Sequence, residues 1–159
     1  MTSIVMTHRQ GMVSQCQWAI ANRTKISYSQ IRPIPVNLPP HSLPFTTDCS
    51  GFVTLMAKWS GNQDPNGNGF DGQGYTGTML THLPHIALRN TWRGDLAVFG
   101  AYPGVHVVTL LQGGSQDADP AVASHGGQAG PGRYSLSDVV SFFGPGVPVT
   151  YLQLCPNAG

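Results

Sequence analysis

The sequence predicts an α+β fold, with helices in the first half of the chain packed on a central antiparallel sheet built from the second half. Three observations carry this. The run from Cys49 to Trp59 spaces its apolar side chains as an amphipathic helix does and stops at Ser60-Gly61. Asp95–Phe99 and Val105–Leu111 are two apolar, β-branched runs joined by Ala101-Tyr102-Pro103-Gly104, which is a hairpin signature. Charged residues make up only 9% of the chain, against a usual figure of about 25%. There is no glutamate, and 20 Gly and 13 Pro supply turns. A helical bundle would want Glu and Lys on its exposed faces, so this composition argues against one.

Taken in order, Thr7 is placed to cap a helix over roughly residues 8–23, with Met12, Val13, Cys16, Ala19 and Ile20 on one face. Residues 24–47 carry five prolines and no helical period, and read as an ordered surface loop. The helix from Cys49 follows. Residues 61–77 are rich in Gly and Asn and read as a long loop, a length often tied to function. After the hairpin, Ala121–Ser124 is a candidate third strand. Ser135 caps a short helix through Phe143, with Asp138 at the capping-box position, and Pro148–Leu154 reads as the last strand. No internal repeat or domain boundary interrupts this order. One domain over residues 1–154 is expected, with 155–159 as a tail or the start of a linker.

A chain of 159 residues can bury a real core. Its net charge of +1 gives no basic field for nucleic acid. No segment is long and apolar enough to span a membrane, and Met1 to Arg9 lacks the pattern of a secretory signal. Three cysteines, at 16, 49 and 155, do not make a disulfide framework. They suggest a reducing compartment at synthesis, with a Cys16–Cys155 bridge left open.

Chemistry points to Cys49. A thiol at a helix N-terminus sits at the positive end of the helix dipole, which favours the thiolate. A cysteine so placed is a candidate nucleophile once the fold brings a histidine base to it. Of six histidines, His106 lies inside the apolar run Val105-His106-Val107-Val108, where it is costly unless hydrogen-bonded or used. His125 ends the third strand candidate, before Gly126-Gly127.

In this order Asp48-Cys49-Ser50-Gly51 at a helix start, Gly94-Asp95-Leu96-Ala97-Val98-Phe99, His106-Val107 in a strand and His125 after the next strand resemble the NlpC-type cell-wall peptidases. The resemblance spans roughly residues 8–154. It implies a papain-like fold and a cysteine endopeptidase that cuts peptidoglycan stem peptides between D-glutamate and a diamino acid. It implies Cys49 as nucleophile, His106 as general base and His125 as the group that orients His106 through its other ring nitrogen. It also places Asp48, Ser50 and Tyr28 against the substrate, although Ser29-Gln30-Ile31 departs from the usual residues after that tyrosine. The strand has Val108 where the family has a small residue. Among the family, the sequence looks most like the peptidase domains of lysins from phages of actinobacteria. The implied setting is the host cytoplasm without a signal peptide, then the cell wall through holes made by another protein, or alternatively the virion. The implied partner is the peptidoglycan stem peptide, met by a monomer or by one domain of a larger lysin, with no cofactor and no metal.

Other readings of the same residues rank lower. Asp64-Pro65-Asn66-Gly67-Asn68-Gly69-Phe70 matches the first half of a calcium loop, but Tyr75 stands where the pattern needs Glu. His82-Leu83-Pro84-His85 has no ligand spacing, and without glutamate no metallopeptidase with a Glu base fits. An N-acetylmuramoyl-L-alanine amidase of related Cys/His fold lacks the Asp-Cys-Ser-Gly context. A wall-binding virion component that does not cut is the non-enzyme alternative.

Overall fold

Helix α1 spans Ile4–Ala21. A computed structural model of the chain describes residues 4–127 and 129–155. The helix starts before Thr7, so that residue lies within it and does not cap it. No proline or glycine stands between Ile4 and Gln10 to stop the helix there. Met12, Val13, Cys16 and Ala19 are buried on one stripe as expected. Gly11 lets α1 lie close to the end of the next helix, since a Cβ there would stand 3.4 Å from the Cβ of Ser60.

The proline-rich segment holds two strands that the sequence reading left as loop. Strand β1 (Ile26–Tyr28) and strand β2 (Phe45–Thr47) form a small parallel pair in which Tyr28 lies opposite Thr47. Helix α2 (Cys49–Trp59) follows at once. Asp48 caps it, its Oδ1 accepting the Gly51 N–H at 2.8 Å. Gly61, at φ +75°, ends it in the left-handed conformation that glycine allows. Helix α3 (Thr76–His82) takes the end of the long loop. The Asp64 carboxylate organises the rest, accepting backbone N–H groups of Asn66, Asn68 and Phe70 at 2.9–3.0 Å. Three N–H donors aimed at its two oxygens fold the loop around this carboxylate, as Asp does in turns.

The main sheet is antiparallel, in the order β3 (His85–Ile86), β8 (Val149–Leu152), β4 (Leu96–Phe99), β5 (His106–Leu110), β6 (Ala121–Ser124) and β7 (Gly132–Ser135). The hairpin, the third strand and the last strand are where the sequence put them. Helix α4 (Leu136–Phe143) is capped by Ser135, whose Oγ accepts the Asp138 N–H. Leu96, Val98, Val107 and Ala123 join α1 and α2 in one core, while Ala97, Phe99, Val108, Leu110 and Val122 join α4 in a second. Every residue of β4, β5 and β6 is buried because both faces are covered. Cys155, expected in the tail, is buried and donates its thiol to Asn62 Oδ1; residues 156–159 lie outside the described residues. Cys16, Cys49 and Cys155 are all free thiols.

The Gly94-Asp95-Leu96 motif does structural work. Gly94, at φ +92°, brings the chain against α1. Asp95 is fully buried, pairs with Arg9 at 3.0 Å and accepts the N–H groups of Trp92 and Leu154. This one carboxylate ties α1, β4 and the end of the chain. Asp95→Ala would remove the counter-charge of the buried Arg9 guanidinium and is expected to cost about 3–5 kcal/mol. Urea unfolding would measure it, and a loss below about 1 kcal/mol would mean that the pair is not a structural tie.

Candidate active site

Cys49 is the first residue of α2, directly after the cap, so its side chain opens onto the groove beside the helix N-terminus. That groove, a cavity of about 630 Å³, is lined by Arg32, Asp48, Cys49, Ser50, Tyr75 and Val105 among others. The Tyr28 hydroxyl lies within hydrogen-bonding reach of the Cys49 backbone and the Gln30 side chain. Burial, then the nearness of Cys49 and Asp48, push its pKa up. Tyr28, Asp48, Ser50 and Cys49 are therefore brought together around the helix start.

Arg32 is the member of this cluster that the sequence reading missed. Its Nη2 donates to Asp48 Oδ2 and to Ser50 Oγ, each at 3.1 Å, and its Nε donates to the Gly74 carbonyl. With Oδ1 committed to the helix cap, both oxygens of Asp48 already have partners. A substrate ammonium at Asp48 would share Oδ2 with Arg32. No local pattern could have revealed this contact, because Arg32 and Asp48 are joined only by the return of β1 and β2.

Cys49 is only 6% exposed, and burial pushes the pKa of its thiol up to about 11. A backbone hydrogen bond from Val107 and those of the helix start oppose this, and the Asp48 charge adds to it. Burial therefore outweighs the helix dipole, and the thiolate expected from the sequence is not the resting form.

The two histidines sit on opposite faces of the sheet. Successive residues of a strand point to opposite sides. Val107 packs with Cys49 and α2, so its neighbours His106 and Val108 face α4. The His106 ring lies 5.5 Å from Phe143 and 6.2 Å from Phe99, and its Nε2 is bonded to Ser124 Oγ at 2.8 Å. It does not line the Cys49 groove; Val105 does. The partner of His106 Nε2 is thus Ser124, not His125. His125 is on the α2 side, edge-on to Tyr28 at 5.3 Å and 5.4 Å from the Phe52 ring. Its Nε2 is held between the carbonyls of Ser27 and Thr47, at 3.1 and 3.0 Å, while its buried Nδ1 has no partner. Two acceptors at Nε2 fix the proton there and leave the Nδ1 lone pair free. Burial lowers the pKa of His125, against the pull of those carbonyls, so the ring is neutral at pH 7.

Burial, with a smaller push from His125, lowers the pKa of His106 to about 4. Between that value and the ordinary 6.5 the unfolded chain binds more protons than the folded one. The contribution of His106 is complete above about pH 6.5 and fades as pH falls toward 4, by about 3 kcal/mol in all. Urea unfolding at pH 4.5 and 7 should show this loss, with His125 adding in the same direction. His106→Gln should reduce it, and an equal pH slope in that variant would refute the assignment.

No family model and no curated protein matches the chain. Among solved structures, its fold is similar to that of the peptidoglycan hydrolase RipB from Mycobacterium tuberculosis. The two share 15% identity at a TM-score of 0.57, over 94% of this chain and 67% of that one. A likeness at this distance shows the fold, and the papain-like, NlpC-type α+β architecture expected from the sequence is the one observed.

Proposed function

We propose that the protein is a peptidoglycan hydrolase that cuts stem peptides with Cys49 as nucleophile and His125 as general base. The observation that carries this reading is the capped helix start that presents Cys49 to a groove, with His125 anchored on the same side of the sheet. The fold shared with a peptidoglycan hydrolase supports the substrate class. The base role passes from His106 to His125 because His125 combines a fixed N–H with a free lone pair, the arrangement a base needs. His125 Nδ1 takes the thiol proton as substrate enters. Cys49 Sγ then adds to the scissile carbonyl, with the N-terminus of α2 stabilising the developing charge. The proton passes to the leaving amine, and water releases the acyl group from sulfur. Arg32, Asp48, Ser50 and Tyr28 hold the peptide. The scissile bond is that between D-glutamate and the diamino acid, and the setting is the catalytic domain of a phage lysin.

A second reading, wall binding without cleavage, is favoured by one observation: no histidine is hydrogen-bonded to Cys49 among the described residues, and the thiol is held neutral. Digestion of purified peptidoglycan followed by mass spectrometry separates the readings. New N-terminal diamino acids support the endopeptidase. Intact stem peptides would point to the amidase. Pelleting with the wall and no fragments would leave the binding reading alone.

A further inference from the structure

The cavity behind His106 is separate from the Cys49 groove. It encloses about 400 Å³ on the α4 side of the sheet and shares no lining residue with the groove. Its floor is the His106–Ser124 pair, both residues less than a tenth exposed. Phe143, stacked on Phe99 at 5.1 Å, forms one wall. Two aromatic rings stand in water at the mouth, Phe142 at 83% exposure and Tyr134 at 45%. Folding alone gives no reason to leave these rings uncovered beside a cavity, and such apolar surface next to a hollow marks binding sites.

The chemistry of the lining narrows the ligand. Among the described residues no Lys or Arg side chain lines the cavity, which disfavours an anionic ligand. His106 is neutral at pH 7, which leaves Asp138 as the charged lining residue. The polar side chains are two hydroxyls (Ser124 and Tyr134), an imidazole and a carboxylate, which together donate to and accept from hydroxyl and amide groups. A neutral ring with apolar C–H faces and a polar edge matches flat aromatic walls over such a floor. We propose that this cavity binds a pyranose of a neutral β-linked amino-sugar strand, with Phe142 and Tyr134 covering the ring faces and Ser124, His106 and Asp138 meeting its hydroxyl and acetamide groups. The choice of an amino sugar over other pyranoses rests on the peptidoglycan reading of the Cys49 groove; the existence of the site does not.

Titration of the intact protein with the β-1,4-linked trimer of N-acetylglucosamine, followed by calorimetry and by NMR shifts, tests the proposal. Saturable binding is expected, weakened at least about tenfold by Phe142→Ala and, separately, by Tyr134→Ala. Both side chains are exposed, so these variants keep the fold, which circular dichroism would check. No saturation by about 10 mM sugar, or equal affinity in Phe142→Ala, would overturn the site. Equal binding of maltotriose would overturn the amino-sugar assignment. Binding of tetramethylammonium in its place would show an aromatic cage for cations instead. Failure here is distinct from failure of the hydrolase reading. Wall cleavage without trimer binding removes this site alone, and trimer binding without wall cleavage removes the hydrolase alone.

Discussion

Cys49→Ala should lower the release of peptide fragments from purified peptidoglycan by about 10⁴-fold or more, with the fold intact. The size follows from the chemistry: without the sulfur no covalent intermediate forms, and the groove and helix dipole can only hold the peptide. The fold should survive because the lost group is one sulfur at the edge of a groove, beside a helix whose cap is made by Asp48 and not by Cys49. The change in unfolding free energy should stay within about 1 kcal/mol. Mass spectrometry of the soluble digest measures the first effect, and urea unfolding the second. Fragment release near the native rate in a folded Cys49→Ala would remove the nucleophile. Co-sedimentation with the wall should be unchanged by the substitution. If native protein and variant pellet alike and neither releases fragments, the non-cutting reading is the one that stands.

Parts of this fold can be read from the sequence because local signals agree with tertiary ones. Helix α2 has an Asp cap, an apolar stripe and a terminal glycine, and its bounds came out as the residues indicate. Strands β4, β5 and β8 announce themselves by apolar content. The missed elements are short and owe their form to contacts from afar. Strands β1 and β2 have three residues each, within a stretch whose prolines hide them. Helix α3 has seven residues and begins with Thr76-Gly77. Strand β7 exposes Arg133 and Tyr134, so no apolar run marks it.

The same physics explains what could be read of the site. Asp48, Cys49, Ser50 and Tyr28 converge because helix α2 is fixed by its own sequence and strand β1 is held to the residues just before it by pairing with β2. The face of His106 was not legible. Parity along a strand is read from alternation of apolar and polar residues, and β5 offers none. Val107 and Val108 are both buried, in different cores. A shift of one residue moves every side chain to the other face, so sequence order alone could not say whether Val105 or His106 would reach Cys49. The pairing of Gly94-Asp95 with Arg9 was hidden for a related reason, since the partners lie far apart along the chain and meet only in the packed core.

Comparison of the two histidines gives the sharpest test of the mechanism. His125→Ala should reduce peptide cleavage by about 10³-fold, the usual scale for losing a general base. His106→Gln should cost less than about tenfold, because its amide can keep the hydrogen bond to Ser124 and the ring it replaces faces away from Cys49. His125→Ala also leaves the carbonyls of Ser27 and Thr47 without their shared donor, so part of its loss could be structural. His125→Asn separates the two effects. Its amide N–H can still donate to those carbonyls, but it cannot take a proton, so it should unfold like the native protein and be as inactive as His125→Ala. The kcat/KM profile should carry an acidic limb below the ordinary histidine value of 6.5, since burial lowers the pKa of His125. Above that limb Nδ1 is free to accept the thiol proton, and below it the ring is already charged. Substantial activity in His125→Asn would make the residue an orienting group and return the base role to another side chain. A thousandfold loss in His106→Gln with His125→Ala active would require β5 to turn its other face to Cys49 when substrate binds.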